Sequence, residues 1–218
     1  MIRLGISLTI LCILSGCTSV TVDQMRLTGT DIDLASDTVV VLGRQHSPAY
    51  EAEGDLVTCV ARELGSGSMG INVIPDDYFV DSLYPWFEPR TAPLRPTDIE
   101  KLMQQKPVME KLAEMKTEYM VWIDGSTIRT EGAGSMTCGI GPGGAGCFGF
   151  GTWGNDADYE AAIWDFTDQQ EVGRMSTTAT GQSYMPAVII PIPIIAPVQG
   201  TACDGLGDQL LEFLSTKY

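Results

Sequence analysis

Thr38-Val39-Val40-Val41-Leu42-Gly43 places four large apolar side chains in succession within a segment of strand length. Neighbouring side chains of a strand point to opposite faces, so a strand with water on one side alternates, and this one does not. It belongs in a sheet covered on both faces, or at the centre of one. The chain must therefore supply other elements to enclose it.

Those elements are legible downstream. Leu56, Cys59, Val60 and Leu64 fall at spacings of three and four and predict a helix from Asp55 to Leu64, ended by Gly65. Ile71 to Ile74 reads as a short strand, and Pro75-Asp76 opens a helix through Leu83. Tyr84 to Pro96 is an aromatic, proline-rich connector. Thr97-Asp98-Ile99-Glu100 has the form of a capping box, and Pro107 opens a second helix with Val108, Met109, Leu112 and Met115 as its apolar stripe. Tyr119 to Gly125, Asp158 to Phe166 and Val172 to Ser183 predict an antiparallel meander. Leu206, Leu210, Leu211 and Leu214 mark a final helix. The fold class expected is α/β (α+β): a mixed central sheet with helices packed on it.

The first residues are an address. Arg3 precedes an apolar run from Leu4 to Leu14 that is too short to span a bilayer, and Leu14-Ser15-Gly16-Cys17 resembles a bacterial lipobox. The resemblance implies cleavage of residues 1–16 and acylation of Cys17, anchoring the chain to a membrane. Thr18 is not the aspartate that favours inner-membrane retention, so the implied location is the outer membrane, facing the periplasm. Residues 17–36 are polar and read as a tether; residues 37–218 read as one periplasmic domain. A net charge of −15 repels phosphate backbones and argues against nucleic acid as a partner.

Four cysteines remain besides Cys12 and Cys17, in a compartment where disulfides persist. Three pairings are possible. Cys138 and Cys147 bracket a glycine-rich stretch and suit a local staple, which leaves Cys59 with Cys203 as a long-range bridge. Zinc is not expected, because there is no C-x-x-C pair and His46 is the only histidine. No metal or other cofactor is expected.

Catalytic constellations are weak. Gly141-Pro142-Gly143-Gly144-Ala145-Gly146 matches a dinucleotide-binding spacing but lies between cysteines, without the required strand and helix. A hydrolytic triad would need His46, and no G-x-S-x-G elbow exists. The adjacent acids Asp76 and Asp77, and Asp156 with Asp158, read as turn and cap residues. No catalytic residue is assigned.

The unusual stretch is Pro186 to Pro197, which carries no charge and contains Ile189, Ile190, Ile192, Ile194 and Ile195. Its prolines hold extended geometry and deny ladder donors. It is expected to pack as a sheet-edge cover; if exposed, it is a docking strip or a lipid-facing loop. The glycine-rich loop 132–154, with Phe148, Phe150 and Trp153, is the second candidate for partner binding. Neither segment alternates over enough residues to read as a membrane-crossing strand.

The order of elements, from the Val-Val-Val-Leu strand through Glu118-Tyr119-Met120-Val121-Trp122-Ile123-Asp124-Gly125 and Ile163-Trp164-Asp165-Phe166 to the terminal helix, resembles a periplasmic α/β lipoprotein superfamily. That superfamily includes the curli-secretion lipoprotein, the outer-membrane activators of penicillin-binding proteins and the amino-terminal domain of the Tol translocation protein. The resemblance implies an accessory or scaffold module without catalytic residues that docks to an envelope protein. An envelope hydrolase and a small-ligand-binding lipoprotein are the alternatives, the ligand lying between the sheet and the aromatic connector.

Overall fold

A computed structural model describes residues 18–28, 37–47, 50–51, 53–66, 70–88, 90–142 and 144–215. Residues 1–17, which hold the expected signal peptide and acylation site, lie outside the described residues. The elements run β1 (Thr18–Arg26), β2 (Thr38–Gly43), β3 (Gln45–Ser47), β4 (Tyr50–Glu51), α1 (Gly54–Ser66), β5 (Asn72–Ile74), α2 (Asp76–Ser82), α3 (Pro96–Met103), α4 (Lys106–Met115), β6 (Thr117–Gly141), β7 (Gly144–Asp165), β8 (Gln170–Pro191) and α5 (Val198–Ser215). Six strands form one mixed sheet in the order β1-β8-β7-β6-β2-β5, and β3 with β4 forms a small separate hairpin. The β5-β2-β6 pairs are parallel; the remaining pairs of the large sheet are antiparallel.

The unbroken apolar run of β2 is explained by layers on both sides. Val39 and Val41 face a core shared with Leu56, Val60 and Leu64 of α1 and with Leu206, Leu210 and Phe213 of α5. Val40 and Leu42 face the other core, built from Phe79 of α2, Ile99 and Met103 of α3, and Val108 and Leu112 of α4. Trp122 and Trp164 fill this second layer beneath the aromatic connector, where Phe87 packs edge-on against Phe79 at 5.1 Å. The α+β class and both disulfides, Cys59–Cys203 and Cys138–Cys147, are as the sequence predicts. Cys59–Cys203 ties α1 to α5 within one layer.

Three expectations are corrected. Residues 18–26 are not tether: they form β1, which pairs with β8 from Thr18↔Gly181 to Arg26↔Gly173. As an edge strand with mostly exposed side chains, β1 carries too weak a hydrophobic period to announce itself. The capping box at Thr97 does not form, because α3 starts one residue earlier at Pro96, whose fixed φ suits the first helical position. The loop 132–154 is strand, as is the first half of the proline strip: β6 is 25 residues long, and β7 and β8 are 22 each. Glycine composition masked this pattern. Gly134 and Gly149 have φ of 124° and 153°, and a Cβ at either would lie 2.1 or 2.2 Å from a carbonyl oxygen of the paired strand.

No helix among the described residues is long and apolar enough to cross a membrane.

The two disulfides should separate in their effects. Cys59→Ser with Cys203→Ser should lower unfolding free energy by about 2–5 kcal/mol, because this bridge closes a long loop. Cys138→Ser with Cys147→Ser should lower it by less, no more than about 3 kcal/mol, because the loop this bridge closes is short. Denaturant unfolding followed by circular dichroism checks both; equal losses would contradict the dependence on loop length.

Candidate functional site

The two cores extend no further than Ile123 on β6, Ala157 on β7 and Ala179 on β8. All three strands continue past these residues as a ribbon whose turn lies at Gly141–Gly144. Charge changes along it. Arg129, Glu131, Asp156 and Arg174 are the last charged residues toward the ribbon end, and 132–155 and 175–203 contain none.

On one face of the ribbon, Phe148 pairs with Val188 and Phe150 with Pro186, and the Phe150 ring lies 6.0 Å from that of Tyr184. On the other, Cys138, Cys147 and Ile189 form one rank. The chain then doubles back along the outer side of β8. Ile192 N–H donates to Pro186 O at 3.1 Å, and Tyr184 and Ile194 exchange N–H···O bonds of 2.8 and 2.7 Å. Pro186 is tolerated because its missing donor would point to that outer side, so the β7 ladder loses nothing. Ser183, fully buried, accepts from Ala196 N–H at 3.0 Å and from the Asn155 amide at 2.5 Å, fixing the returning segment.

The proline strip is therefore not packed into the core, which corrects the expectation of burial. Val188 and Ile190 are 70% and 69% exposed; Phe148, Phe150, Ile189, Ile192 and Ile195 are exposed as well, and Ile140 at the tip is 90% exposed. Two candidates differ. Trp153 is buried, with the Arg129 guanidinium 4.2 Å from its ring, and Ile194 is half-buried by its bridge to Tyr184. The strip and the aromatic glycine segment, read separately in the sequence, are neighbouring strands of one surface.

A polar knot at the root of the ribbon has no sequence signature. The Glu53 carboxylate accepts from Tyr159 Oη–H at 2.5 Å, Gln199 Nε2–H at 2.6 Å and Thr127 N–H at 2.8 Å. Its backbone carbonyl caps α1 by accepting from Leu56 and Val57 N–H. One residue thus ties the start of α1 to β6, β7 and α5. Burial, reinforced by donation to the Glu53 carboxylate, raises the Tyr159 hydroxyl far above the usual tyrosine range.

A hollow lies at the carboxyl ends of β2 and β5, where the chain leaves β2 for one layer and β5 for the other. Leu42, Val57, Phe87, Pro93 and Trp122 line a cavity of about 170 Å³ with Thr58 and Asp76 at its polar side. Such switch points are where open α/β sheets bind ligands. Nearby, Arg44 pairs with Asp124 at 3.3 Å and lies 5.0 Å from the Trp122 ring.

The paired acids do not converge. Asp76 lines this hollow, Asp77 turns back to accept from Tyr78 N–H at 2.7 Å, Asp158 lines a separate hollow beside Gly125, and Asp156 lines a third beside Gly181. His46 lies in β3. Among the described residues no group of three or more His, Cys, Asp or Glu is placed to hold a metal ion.

No protein-family model matches the chain, and no curated protein matches it. Two solved structures of the PelC dodecamer from Paraburkholderia phytofirmans are distantly similar. One, in space group P6, is 12% identical with a TM-score of 0.46; a single-residue variant in space group C2 is 14% identical with 0.42. Each alignment covers 91% of this chain and 100% of that one. Identity and TM-scores this low transfer no function.

Tyr159→Phe should destabilise the fold by about 1–3 kcal/mol, because it leaves the half-buried Glu53 carboxylate short of a donor. The pH dependence has a definite sign. The folded state favours the protonated phenol, so its contribution is complete below a pH of about 10 and declines as pH rises toward the higher folded value. Urea titrations from neutral to strongly alkaline pH should show that decline in the parent and a weaker one in Tyr159→Phe.

Proposed function

We propose that this chain is a noncatalytic lipoprotein, held by acyl chains on Cys17 at the periplasmic face of the outer membrane, that serves as an accessory module docking to another component of the cell envelope. The observation that carries this reading is the uncharged ribbon end, where exposed aromatic and aliphatic side chains collect on a chain of net charge −15. A monomeric soluble protein rarely leaves so much contiguous apolar surface in water without a use for it. The disulfides accord with a compartment outside the reducing cytoplasm. Dispersal of the acidic pairs over separate hollows favours docking over hydrolysis.

A second reading, small-ligand binding, is favoured by the cavity between the sheet and the aromatic connector. It predicts a ligand that raises the melting temperature, an effect removed by filling the cavity with Thr58→Trp.

In-cell crosslinking of the lipidated protein through photoreactive groups at the ribbon end, with the product read as envelope protein or as lipid, tests the leading reading. Val188→Asp with Ile190→Asp should abolish the specific crosslinked product while leaving thermal unfolding unchanged, since both side chains are exposed. Cys17→Ala should also lose the product. Docking by this surface is refuted if the double variant folds and crosslinks like the parent. Alanine at His46, Asp76, Asp77, Asp156 and Asp158 should leave the crosslinking unaltered.

A further inference from the structure

We propose that the envelope component met by the ribbon end is the lipid surface in which the Cys17 acyl chains sit, an inference that rests on the anchoring reading above. Two independent features of the molecule meet at one level of the sheet. Thr18, the residue after Cys17, pairs with Gly181; Gly181 pairs with Asn155; Asn155 pairs with Arg129. Past this rank the ribbon carries one charge, Glu131, two residues beyond Arg129 on β6, and none on β7 or β8. Cys17 is one peptide bond, about 3.8 Å, from that rank. With β1 hydrogen-bonded into the sheet from its first described residue, no slack separates the acylation site from the domain.

The consequence is geometric. Acyl chains on Cys17 enter a leaflet, so the membrane surface lies at the root of the ribbon. Beyond the root, Gly132 to Gly141 continues for about 30 Å at the rise of a strand, with apolar groups on both faces and no charged group for a leaflet to desolvate. The acidic remainder of the chain is repelled by anionic headgroups, and the ribbon end is the part free of that repulsion. Absence of charge also removes the ion pairs that usually give protein partners their specificity, which favours lipid as the occupant.

The ribbon seats in the interface and does not cross it alone. Beyond Ile123, no described strand pairs with the outer side of β6. Unpaired backbone donors and acceptors of an open edge are not tolerated in hydrocarbon. That edge must remain at headgroup depth, while Phe148, Val188 and Ile190 reach the acyl chains.

Collisional quenching decides the matter. The lipidated chain is reconstituted into phosphatidylethanolamine–phosphatidylglycerol vesicles carrying brominated acyl chains, with Phe148→Trp or Ile190→Trp as reporter. Asp168→Trp, in the exposed turn at the far end of the sheet, is the control. Added emission at 148 and 190 should be lost in brominated vesicles and retained at 168, with circular dichroism matching the parent. If Cys17 is acylated by mass spectrometry and the reporters at 148 and 190 are quenched no more than that at 168, lipid contact is overturned and anchoring stands. A Cys17 peptide without acyl chains overturns both.

Discussion

Burial of β2, β6 and β7 on both faces is the constraint from which the rest follows. Val39 and Val41 need α1 and α5; Val40 and Leu42 need α2, α3 and α4. Helices can cover only the length of sheet they reach, and that reach ends near Ile123, Ala157 and Ala179. The three long strands keep their hydrogen-bond ladder beyond that line, so the core also defines where the ribbon starts. Glycine at Gly134 and Gly149 lets the paired backbones approach where a side chain would collide.

The root of the ribbon carries its own reinforcement. Without helices beyond this level, the junction relies on hydrogen bonds, and Glu53 supplies them by joining β6, β7 and α5 through its carboxylate and capping α1 with its backbone carbonyl. Withdrawing a carboxylate from water is costly unless its lone pairs are matched, and here three donors match a half-buried one. Cys59–Cys203 secures the same layer covalently. The ribbon is thereby held in fixed relation to the domain.

Much of the architecture is legible in residue order. Helical stripes at Leu56–Leu64 and Leu206–Leu214 and the β2 run identify their elements because large apolar side chains repeat at the period of the structure they form. β1 and the outer halves of β6 and β7 are not legible in this way. Val20 and Val22 stand among polar neighbours on an edge, and Gly132 to Gly151 has too few side chains to display a period of two. The apolar character of the ribbon end is visible at Ile189, Ile190, Phe148 and Phe150; its exposure is not, since burial depends on what packs opposite.

Residue order alone specifies local features: a strand enclosed on both faces, a short-range cysteine pair, and an uncharged proline strip. Which of these stand together depends on how the elements pack. Packing brings Phe148 beside Val188, sets Thr18 level with Gly181 at the root of the ribbon, turns Trp153 under Arg129, and gathers Thr127 of β6, Tyr159 of β7 and Gln199 of α5 around Glu53. The physical reason is register. A one-residue slip in strand pairing reverses every side chain between faces, and register is fixed by the whole packed sheet, not by any segment read alone.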